Sequence, residues 1–300
     1  MTAGSRPHTT AIIPVRLESA RLPGKALLDI CGLPMVVHVY RRCLLADRLD
    51  DVVVATDSEE IRSVVEAHGG SAVMTRSDHA NGTERIAEAA ESLESEIVVN
   101  VFGDEALVMP DSIDAVVAAL HDDASVNVGI LVNPFTRRNS PGDIKVVLDD
   151  RGDVMYLSRS DIPSNARTAD APMLKAYHIV PFRREFLLEY ATWPAGRLET
   201  VEFHEHLRIL ERGHSIRAVE VESSAVSVDT LDDLEYVRRL MVSDPVFEQY
   251  KDGPVGGCPT PDRLGRRRGA SGRRRPRMRM ELLRSAGWCD LRATSRGRER

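Results

Sequence analysis

Short apolar runs alternate with amphipathic segments through the first 120 residues of the chain. An apolar run of four or five residues bounded by turn residues is typical of a buried strand, whereas apolar residues three or four apart are typical of a helix. The predicted strands cover residues 11–15, 52–55, 71–74 and 97–101, and the predicted helices cover residues 34–46, 59–67 and 111–120. This alternation predicts a parallel sheet covered by helices.

The pattern changes in the second half of the chain. The segment KVVLDDRGDVMYLS, residues 145–158, predicts two strands around a turn, and HIVPF at 178–182 predicts another strand. Helical patterns cover residues 183–191, 201–212 and 231–241, and the strand SIRAVEVE precedes the last of them. The predicted fold class is therefore α/β, with a mainly parallel sheet, flanking helices and a smaller antiparallel insertion.

Charge divides the chain near residue 250. The net charge is −6, but residues 251–300 hold 15 Lys and Arg against 5 Asp and Glu, while residues 1–250 hold 25 against 41. A segment this basic and this poor in apolar residues predicts disorder. We expect one folded domain over 1–250 and a basic, disordered tail over 251–300. A nucleic-acid role of the tail is not favoured because no base-reading module accompanies the charge.

The composition excludes several other classes of protein. No run of about 18 apolar residues occurs, and the first ten residues lack the apolar centre of a secretory signal, so we expect a cytoplasmic protein without a membrane partner. The four cysteines, Cys31, Cys43, Cys258 and Cys289, show neither a disulfide framework nor the spacing of a zinc site. We interpret them as ordinary thiols.

A cationic loop follows the first predicted strand. In RLESARLPGKAL the side chains of Arg16, Arg21 and Lys25 surround a Pro-Gly pair, but the spacing fits neither a Walker A loop nor a dinucleotide fingerprint. Three cations at the carboxyl end of a strand can neutralise a polyphosphate, and Gly24 lets backbone N–H groups approach it closely. A solvated loop with local ion pairs is the alternative.

Polar residues also follow two further strands. The segment MTRSDHANGTERIAE offers the donors and acceptors that reading a nucleobase and a ribose requires, and the strand at 97–101 leads into Asp104 and Glu105. A carboxylate at this edge, beside a cationic loop, suits Mg²⁺. Asp229, which stands between a strand and a helix, is the candidate partner of Asp104, although an Asp before a helix is usually only a cap.

Taken together, these segments resemble the CMP-Kdo synthetases, the 3-deoxy-manno-octulosonate cytidylyltransferases. The resemblance extends in order from about residue 10 to residue 241 and includes IIPVRLESARLPGKALLDICGLPMVVHVY, MTRSDHANGTERIAE, IVVNVFGDE, EFHEHLRILERG and SVDTLDDLEYVR. It implies an α/β fold similar to nucleotide-diphospho-sugar transferases, with a cytidylyltransferase domain over 1–250. It also implies a dimeric enzyme in which an acceptor oxygen attacks the α-phosphorus of CTP in a Mg²⁺-dependent reaction that releases pyrophosphate.

The resemblance also implies residue roles. Arg16, Arg21 and Lys25 match the triphosphate-binding loop, and Asp104 and Asp229 match the two metal-binding aspartates; Arg21, Lys25 and Asp104 are therefore the expected catalytic residues. The match to the cytidine-binding segment comprises Arg76, Ser77, Asp78, Gly82 and Thr83. If Asp104 and Asp229 lay on opposite sides of the molecule, this mechanism would fail.

The acceptor side departs from the family pattern. Phe102 replaces a family Gln, Ala176 a His and Phe182 a Tyr, which predicts an apolar wall that would leave sugar hydroxyls without partners, at about 1 to 3 kcal/mol each. We therefore expect a small anionic acceptor, preferably a phosphonate such as phosphonoformate in natural-product biosynthesis. Glu202 matches an acceptor-side acid, and Arg159, Lys175 and Arg183 are candidate partners of the acceptor's charge or members of surface ion pairs.

Two alternatives remain open from the sequence. The first retains the chemistry with Kdo or a related sugar acid as the acceptor. The second is an inactive relative with a regulatory or nucleic-acid-binding role, which is disfavoured because the three phosphate-loop cations and both aspartates are present.

Overall fold

The structure is a computed structural model that describes residues 6–19, 21–168, 171–177, 179–222 and 226–253. These residues all belong to the first of the two units into which the chain divides, Met1–Cys258. The basic tail predicted over residues 251–300 lies outside the described residues apart from its first three, so its disorder stays a prediction. No helix in these ranges is long and apolar enough to cross a membrane.

A five-stranded sheet forms the first half of the fold. Its strands are β1 (Thr9–Val15), β4 (Asp51–Thr56), β5 (Ala72–Met74), β6 (Ile97–Val101) and β11 (Ile179–Arg183), in the order β11-β6-β1-β4-β5. The central pairs β1–β4, β1–β6 and β4–β5 are parallel, whereas β11 is an antiparallel edge strand. The parallel strands therefore end at one edge, where ligands bind in open α/β sheets.

A second five-stranded sheet is formed by strands from the second half of the chain, with β11 of the first sheet lying between its last two strands in sequence. It contains β7 (Gly129–Phe135), β8 (Lys145–Leu148), β9 (Val154–Ser158), β10 (Met173–Tyr177) and β12 (Arg217–Glu220), in the order β12-β7-β10-β8-β9. Its pairs are antiparallel except for β12 with β7. Two short strands, β2 (Asp29–Ile30) and β3 (Leu33–Pro34), form a small hairpin beside the first sheet.

Helices cover both faces of the first sheet. They are α1 (Met35–Cys43), α2 (Glu59–Ala67), α3 (Gly82–Glu91), α4 (Pro110–Asp122), α5 (Arg184–Ala191), α6 (Arg197–Glu202), α7 (Leu207–Glu211) and α8 (Leu231–Met241). Because side chains alternate along a strand, Ile13 belongs to a buried cluster with residues of α1, α2, α4 and α8, while Ile12 belongs to a second cluster with residues of α3, α5 and α7. The site-bearing edge is thus held between two buried layers.

Most of the predicted elements are confirmed, including the turn between β8 and β9. Ser58 caps α2, and its hydroxyl accepts a hydrogen bond from the Ile61 N–H. Two predictions need correction. The helix predicted over 201–212 is broken into α6 and α7, because Phe203 adopts a left-handed conformation with φ 49°. The predicted smaller insertion is a sheet with as many strands as the first, since β7 and β10 were not recognised.

Candidate active site

The loop after β1 presents the predicted cations at the carboxyl edge of the first sheet. Gly24 has φ 67°, a conformation that favours glycine, and its N–H donates to the carbonyl of Leu17 at 3.1 Å. This bond closes the loop and starts a single 3-10 turn, Lys25–Leu27. The Pro-Gly pair in the sequence therefore serves to turn Lys25 back over the sheet edge.

Lys25, Asp104 and Asp229 meet although they come from distant parts of the chain. The Lys25 Nζ lies 2.7 Å from Oδ2 of Asp104 and 3.3 Å from Oδ1 of Asp229, and it donates to the carbonyl of Val228 at 3.0 Å. The Val228 N–H donates to the carbonyl of Asp104 at 3.1 Å, which ties the two aspartate-bearing segments together. The predicted convergence of the two aspartates is thus present.

Arg21 belongs to the same group, and Arg16 precedes it in the same loop. The Arg21 Nη1 lies 2.9 Å from Oδ2 of Asp229, with the Arg21 side chain 71 % exposed. Arg16 is exposed directly after β1. The site therefore combines two carboxylates with two cations in contact, and one of these cations projects into solvent.

The two carboxylates fit a divalent cation. Oδ1 of Asp104 is buried and has no hydrogen-bond partner among the described residues, so one carboxylate oxygen has its electron pairs unused. The described part of the chain holds no group of three or more His, Cys, Asp or Glu side chains arranged for a metal. Magnesium is commonly held by one or two carboxylates together with substrate phosphates, which is the number available here.

The residues around Asp104 fix its position. A Cβ added at Gly103 would lie 2.7 Å from Cγ2 of Val15 and 3.3 Å from the carbonyl oxygen of Pro14, so this approach of β6 to β1 requires glycine. Glu105 is buried and accepts a hydrogen bond from the hydroxyl of Ser227. Of the two adjacent acids in the sequence, Glu105 links the segments and Asp104 is left for chemistry.

The predicted cytidine segment begins α3 at the same edge. Asn81 caps the helix by accepting from the Glu84 N–H, and a Cβ at Gly82 would lie 3.4 Å from Pro14 of β1. Thr83 is buried and its hydroxyl lies 2.6 Å from Oε1 of Glu205. This segment and the Lys25 group therefore flank the end of β1.

The other members of the cytidine segment point outward. Ser77 and Asp78 are exposed, and Arg76 pairs with Asp78 at 3.8 Å and with Glu88 of α3 at 3.6 Å. Arg76 lines a cavity of about 510 Å³ between α3 and α5. The structure thus brings Gly82 and Thr83 to the end of β1, while Arg76 is engaged on the outer side of α3.

Three acceptor candidates are engaged in pairs within the second half of the fold. Glu202 accepts from the Ser158 hydroxyl and from the Arg159 N–H, each at 2.8 Å, and the Arg159 guanidinium donates to the carbonyls of Pro141, Glu202 and Phe203. Lys175 pairs with Asp143 at 2.7 Å. Among the described residues, no hydrogen bond or ion pair joins Glu202, Arg159 or Lys175 to the Lys25 group.

The apolar substitutions occupy different environments. Phe182 is fully buried and stacks on Tyr190 with centroids 6.1 Å apart, and Ala176 is buried in β10. Packing in the core explains both residues, so the predicted apolar wall is wrong for these two positions. Phe102, half-buried directly after β6, is the one of the three that stands beside Asp104 in the loop.

Glu205 was missed in the sequence. Burial raises the pKa of its carboxyl to about 7, and this effect outweighs the hydrogen bond with Thr83, which lowers it. Glu205 lies in the motif EFHEHLR, part of the segment EFHEHLRILERG that carries the resemblance. In the unbroken helix predicted over 201–212, however, nothing indicated that Glu205 would face α3. The left-handed Phe203 supplies that turn.

A mainly parallel α/β sheet with cations and carboxylates converging at its carboxyl edge defines a nucleotidyltransferase. The profile of the cytidylyltransferase family matches residues 10–216, and the chain belongs to this family. It is thus a CTP-dependent nucleotidyltransferase, as its sequence predicts.

Named relatives agree with this assignment. The chain is 42 % identical over 233 residues to a 3-deoxy-manno-octulosonate cytidylyltransferase of Solibacter usitatus, covering 76 % of this chain and 92 % of that one. It is 39 % identical over 235 residues to the Escherichia coli protein of the same name, covering 78 % and 96 %. A solved CMP:2-keto-3-deoxy-manno-octonic acid synthetase complexed with CTP superimposes with a TM-score of 0.76 at 38 % identity, covering 78 % of this chain and 98 % of that one.

Proposed function

We propose that the protein transfers CMP from CTP to 3-deoxy-manno-octulosonic acid or a related sugar acid and releases pyrophosphate. The observation that carries the transfer is the convergence of Lys25 and Arg21 with Asp104 and Asp229 at the carboxyl edge of the first sheet. The sugar-acid acceptor is supported by the names of the relatives, at 39 to 42 % identity.

In this reaction an acceptor oxygen forms a bond to the α-phosphorus while the bond from that phosphorus to the bridging oxygen of the β-phosphate breaks. The electron pair leaves with pyrophosphate, whose growing negative charge Arg21, Lys25 and Arg16 offset. Asp104 and Asp229 would hold Mg²⁺, which when bound neutralises phosphate charge and polarises the phosphoryl oxygens. The protein's own work is positioning and charge neutralisation.

The nucleoside half is assigned to the segment 76–83. Thr83 and Gly82 lie at the end of β1, where the base and ribose of a nucleotide bound to the cationic loop would extend. Arg76, Ser77 and Asp78 are proposed to complete this subsite. For Arg76 the assignment requires that its guanidinium leave Glu88 for the nucleotide.

A phosphonate acceptor is the second candidate, and Phe102 is the observation that favours it. An aromatic ring beside Asp104 presents no partner to a sugar hydroxyl. Because Ala176 and Phe182 are core residues, however, Phe102 carries this argument alone, and the similarity to sugar-acid enzymes outweighs it. Glu202, Arg159 and Lys175 are proposed to shape the acceptor side through the contacts they make with one another and with the second sheet.

A pyrophosphate-release assay with CTP and Mg²⁺ tests the proposal. Kdo, sialic acid and phosphonoformate are compared as acceptors, and we expect release with Kdo together with a CMP-sugar product. Release with phosphonoformate alone would establish the second candidate, and no release with any acceptor would favour an inactive relative.

The Phe102→Gln variant should then favour sugar acids further, and an unchanged preference would remove Phe102 from the argument. Light scattering on the same sample tests the expected homodimer.

A further inference from the structure

The Lys25 ammonium has all three of its protons engaged by oxygens of the site itself. Its acceptors are Oδ2 of Asp104, Oδ1 of Asp229 and the carbonyl oxygen of Val228, at 2.7 to 3.3 Å. An ammonium offers three donors and no more. As the structure stands, Lys25 therefore has no donor left for a phosphate oxygen, although a triphosphate is the ligand proposed for it.

Both carboxylate oxygens of Asp229 are also already engaged in ion pairs. Oδ1 of Asp229 contacts Lys25 and Oδ2 contacts Arg21, so both oxygens already face a cation. Asp104 has Oδ2 on Lys25 and only the buried Oδ1 without a partner. A divalent cation that contacts both aspartates therefore competes with Lys25 and Arg21 for the oxygens of Asp229.

Among the described residues, Lys25 forms ion pairs with both carboxylates, whereas Arg21 pairs with Asp229 alone. A divalent cation bound to the two aspartates would lie a few ångströms from the Lys25 ammonium, and the two positive charges would repel each other strongly in a partly buried site. Lys25 and Asp104 are about 20 % exposed and Arg21 is 71 % exposed, so the repulsion would be greatest at Lys25.

We propose that Lys25 is a resident counter-ion that holds Asp104 and Asp229 together in the metal-free protein and yields them to a divalent cation, becoming available to the triphosphate. This inference rests on the proposed function for the role of the two aspartates. With metal alone, the freed ammonium lacks an anionic partner, so metal binds weakly. With CTP present, the ammonium gains phosphate oxygens.

A consequence is that metal and CTP bind cooperatively. Each ligand favours the arrangement in which Lys25 has left the carboxylates, and coupling between two sites is reciprocal. Metal should therefore tighten CTP binding by the same factor by which CTP tightens metal binding. Lys25 is the residue through which that factor is transmitted.

Lysine labelling of the wild-type protein tests this inference without any substitution. The sequence holds four lysines, Lys25, Lys145, Lys175 and Lys251, so reductive methylation can be followed at each by mass spectrometry. We expect Mn²⁺ without nucleotide to speed labelling of Lys25, and CTP added with Mn²⁺ to protect it. Fully buried Lys145 serves as the slow reference, and Lys251, 39 % exposed, as the fast one. Unchanged or slower Lys25 labelling with Mn²⁺ would overturn the proposal.

A variant gives a second measurement. In Lys25→Met, Mn²⁺ followed by electron paramagnetic resonance without nucleotide should bind about tenfold tighter than in the wild type, since no ammonium has to be displaced. Arg62→Met is the matched control, because Arg62 pairs with Glu59 and Glu66 on the surface of α2. Folded Lys25→Met protein that binds Mn²⁺ no tighter would contradict the proposal. These readouts need no turnover, so an inactive enzyme would refute the proposed function while leaving this inference standing.

Discussion

At the scale of single residues, the partners of an ammonium decide whether it can be exchanged. Lys145 is fully buried and donates to the carbonyls of Ser140, Asp143 and Arg159. Lys25 has one carbonyl and two carboxylates as its partners. A divalent cation such as Mg²⁺ binds carboxylates in preference to main-chain carbonyls. We therefore expect such a cation to replace Lys25 but not Lys145. The two lysines make the same number of hydrogen bonds, but only the partners of Lys25 would bind a divalent cation in its place.

The role of Asp104 can be tested by an isosteric change. Asp104→Asn keeps the shape of the side chain but removes the charge that would hold the metal, so we expect kcat to fall at least about 100-fold, as when a group that stabilises transition-state charge is removed. Pyrophosphate release from CTP measures the effect. Asp111→Asn, at an exposed acid in the first turn of α4, is the control. Asp104→Asn activity within a few-fold of wild type would show that the carboxylate is dispensable.

At the scale of elements, the site depends on how closely β6 approaches β1. Gly103 lets the chain after β6 pass against Val15 and the carbonyl of Pro14, and this passage puts Asp104 within reach of Lys25. Val15 is β-branched and at the end of a buried strand, so its side chain has little room to rotate away. The position of a functional carboxylate is therefore set by the packing of its neighbour.

Gly103→Ala should consequently disturb both stability and activity. Overpacking of this kind costs about 1–3 kcal/mol, and any shift of the loop displaces Asp104. Gly142→Ala is a matched control, since a Cβ there would meet nothing within 4 Å. Urea unfolding and kcat are measured on both variants, and we expect Gly103→Ala to be the less stable and the less active of the two. Equal stability of the two would mean that the loop adjusts without strain.

Buried polar side chains of α1 attach the segment after α8 to the domain, and Arg42 supplies the salt bridge among these contacts. The Arg42 guanidinium of α1 is fully buried, pairs with Asp244, and donates to the Tyr250 hydroxyl and the Val108 carbonyl, each at 3.1 Å. Removing one partner of a buried pair leaves the other without compensation. Residues 244–250 are thus held to α1 by more than their apolar contacts.

Arg42→Met should destabilise the protein by about 3–5 kcal/mol for that reason. Removal of the exposed Arg62 by Arg62→Met should cost no more than about 1 kcal/mol. Denaturant unfolding of the two variants measures the difference. If the Arg42→Met cost were as small as that of Arg62→Met, the buried pair would contribute no more than a surface pair.

At the scale of the whole molecule, the sequence predicted local elements better than their long-range partners. The limits of α2, β6 and α8 agree with the predictions because periodicity, caps and turn residues are local signals. The convergence of Asp104 and Asp229 was predicted from their positions after strands and from the resemblance, whereas the contact between Lys25 and the Val228 carbonyl was not predicted. The break in the helix at Phe203 was not predicted, because a phenylalanine in the left-handed conformation has no sequence signal. The contact between Glu205 and Thr83 depends on this break and was therefore not predicted either.

Two buried groups titrate in opposite senses as the whole chain unfolds. Burial raises the pKa of Glu205 from 4.5 to about 7, so the stability that its proton provides is complete below about pH 4.5 and is lost as pH rises toward 7. Burial, with the nearby Arg41 and Arg42, lowers the pKa of His38 from 6.5 to about 4, against the bond to the Ile30 carbonyl. The contribution of His38 is therefore complete above pH 6.5 and is lost as pH falls toward 4. Between about pH 4.5 and 6.5 the two effects offset each other.

Single substitutions should reveal the two opposing slopes. The wild-type free energy of unfolding minus that of Glu205→Gln should fall with pH between about 4.5 and 7, by at most about 1.4 kcal/mol per pH unit because one proton is involved. The same difference for His38→Gln should rise between about pH 4 and 6.5. Urea unfolding at half-unit intervals of pH measures both. A flat Glu205→Gln difference would mean that this carboxyl ionises in the folded protein as it does in the unfolded chain, and that its contact with Thr83 offsets its burial.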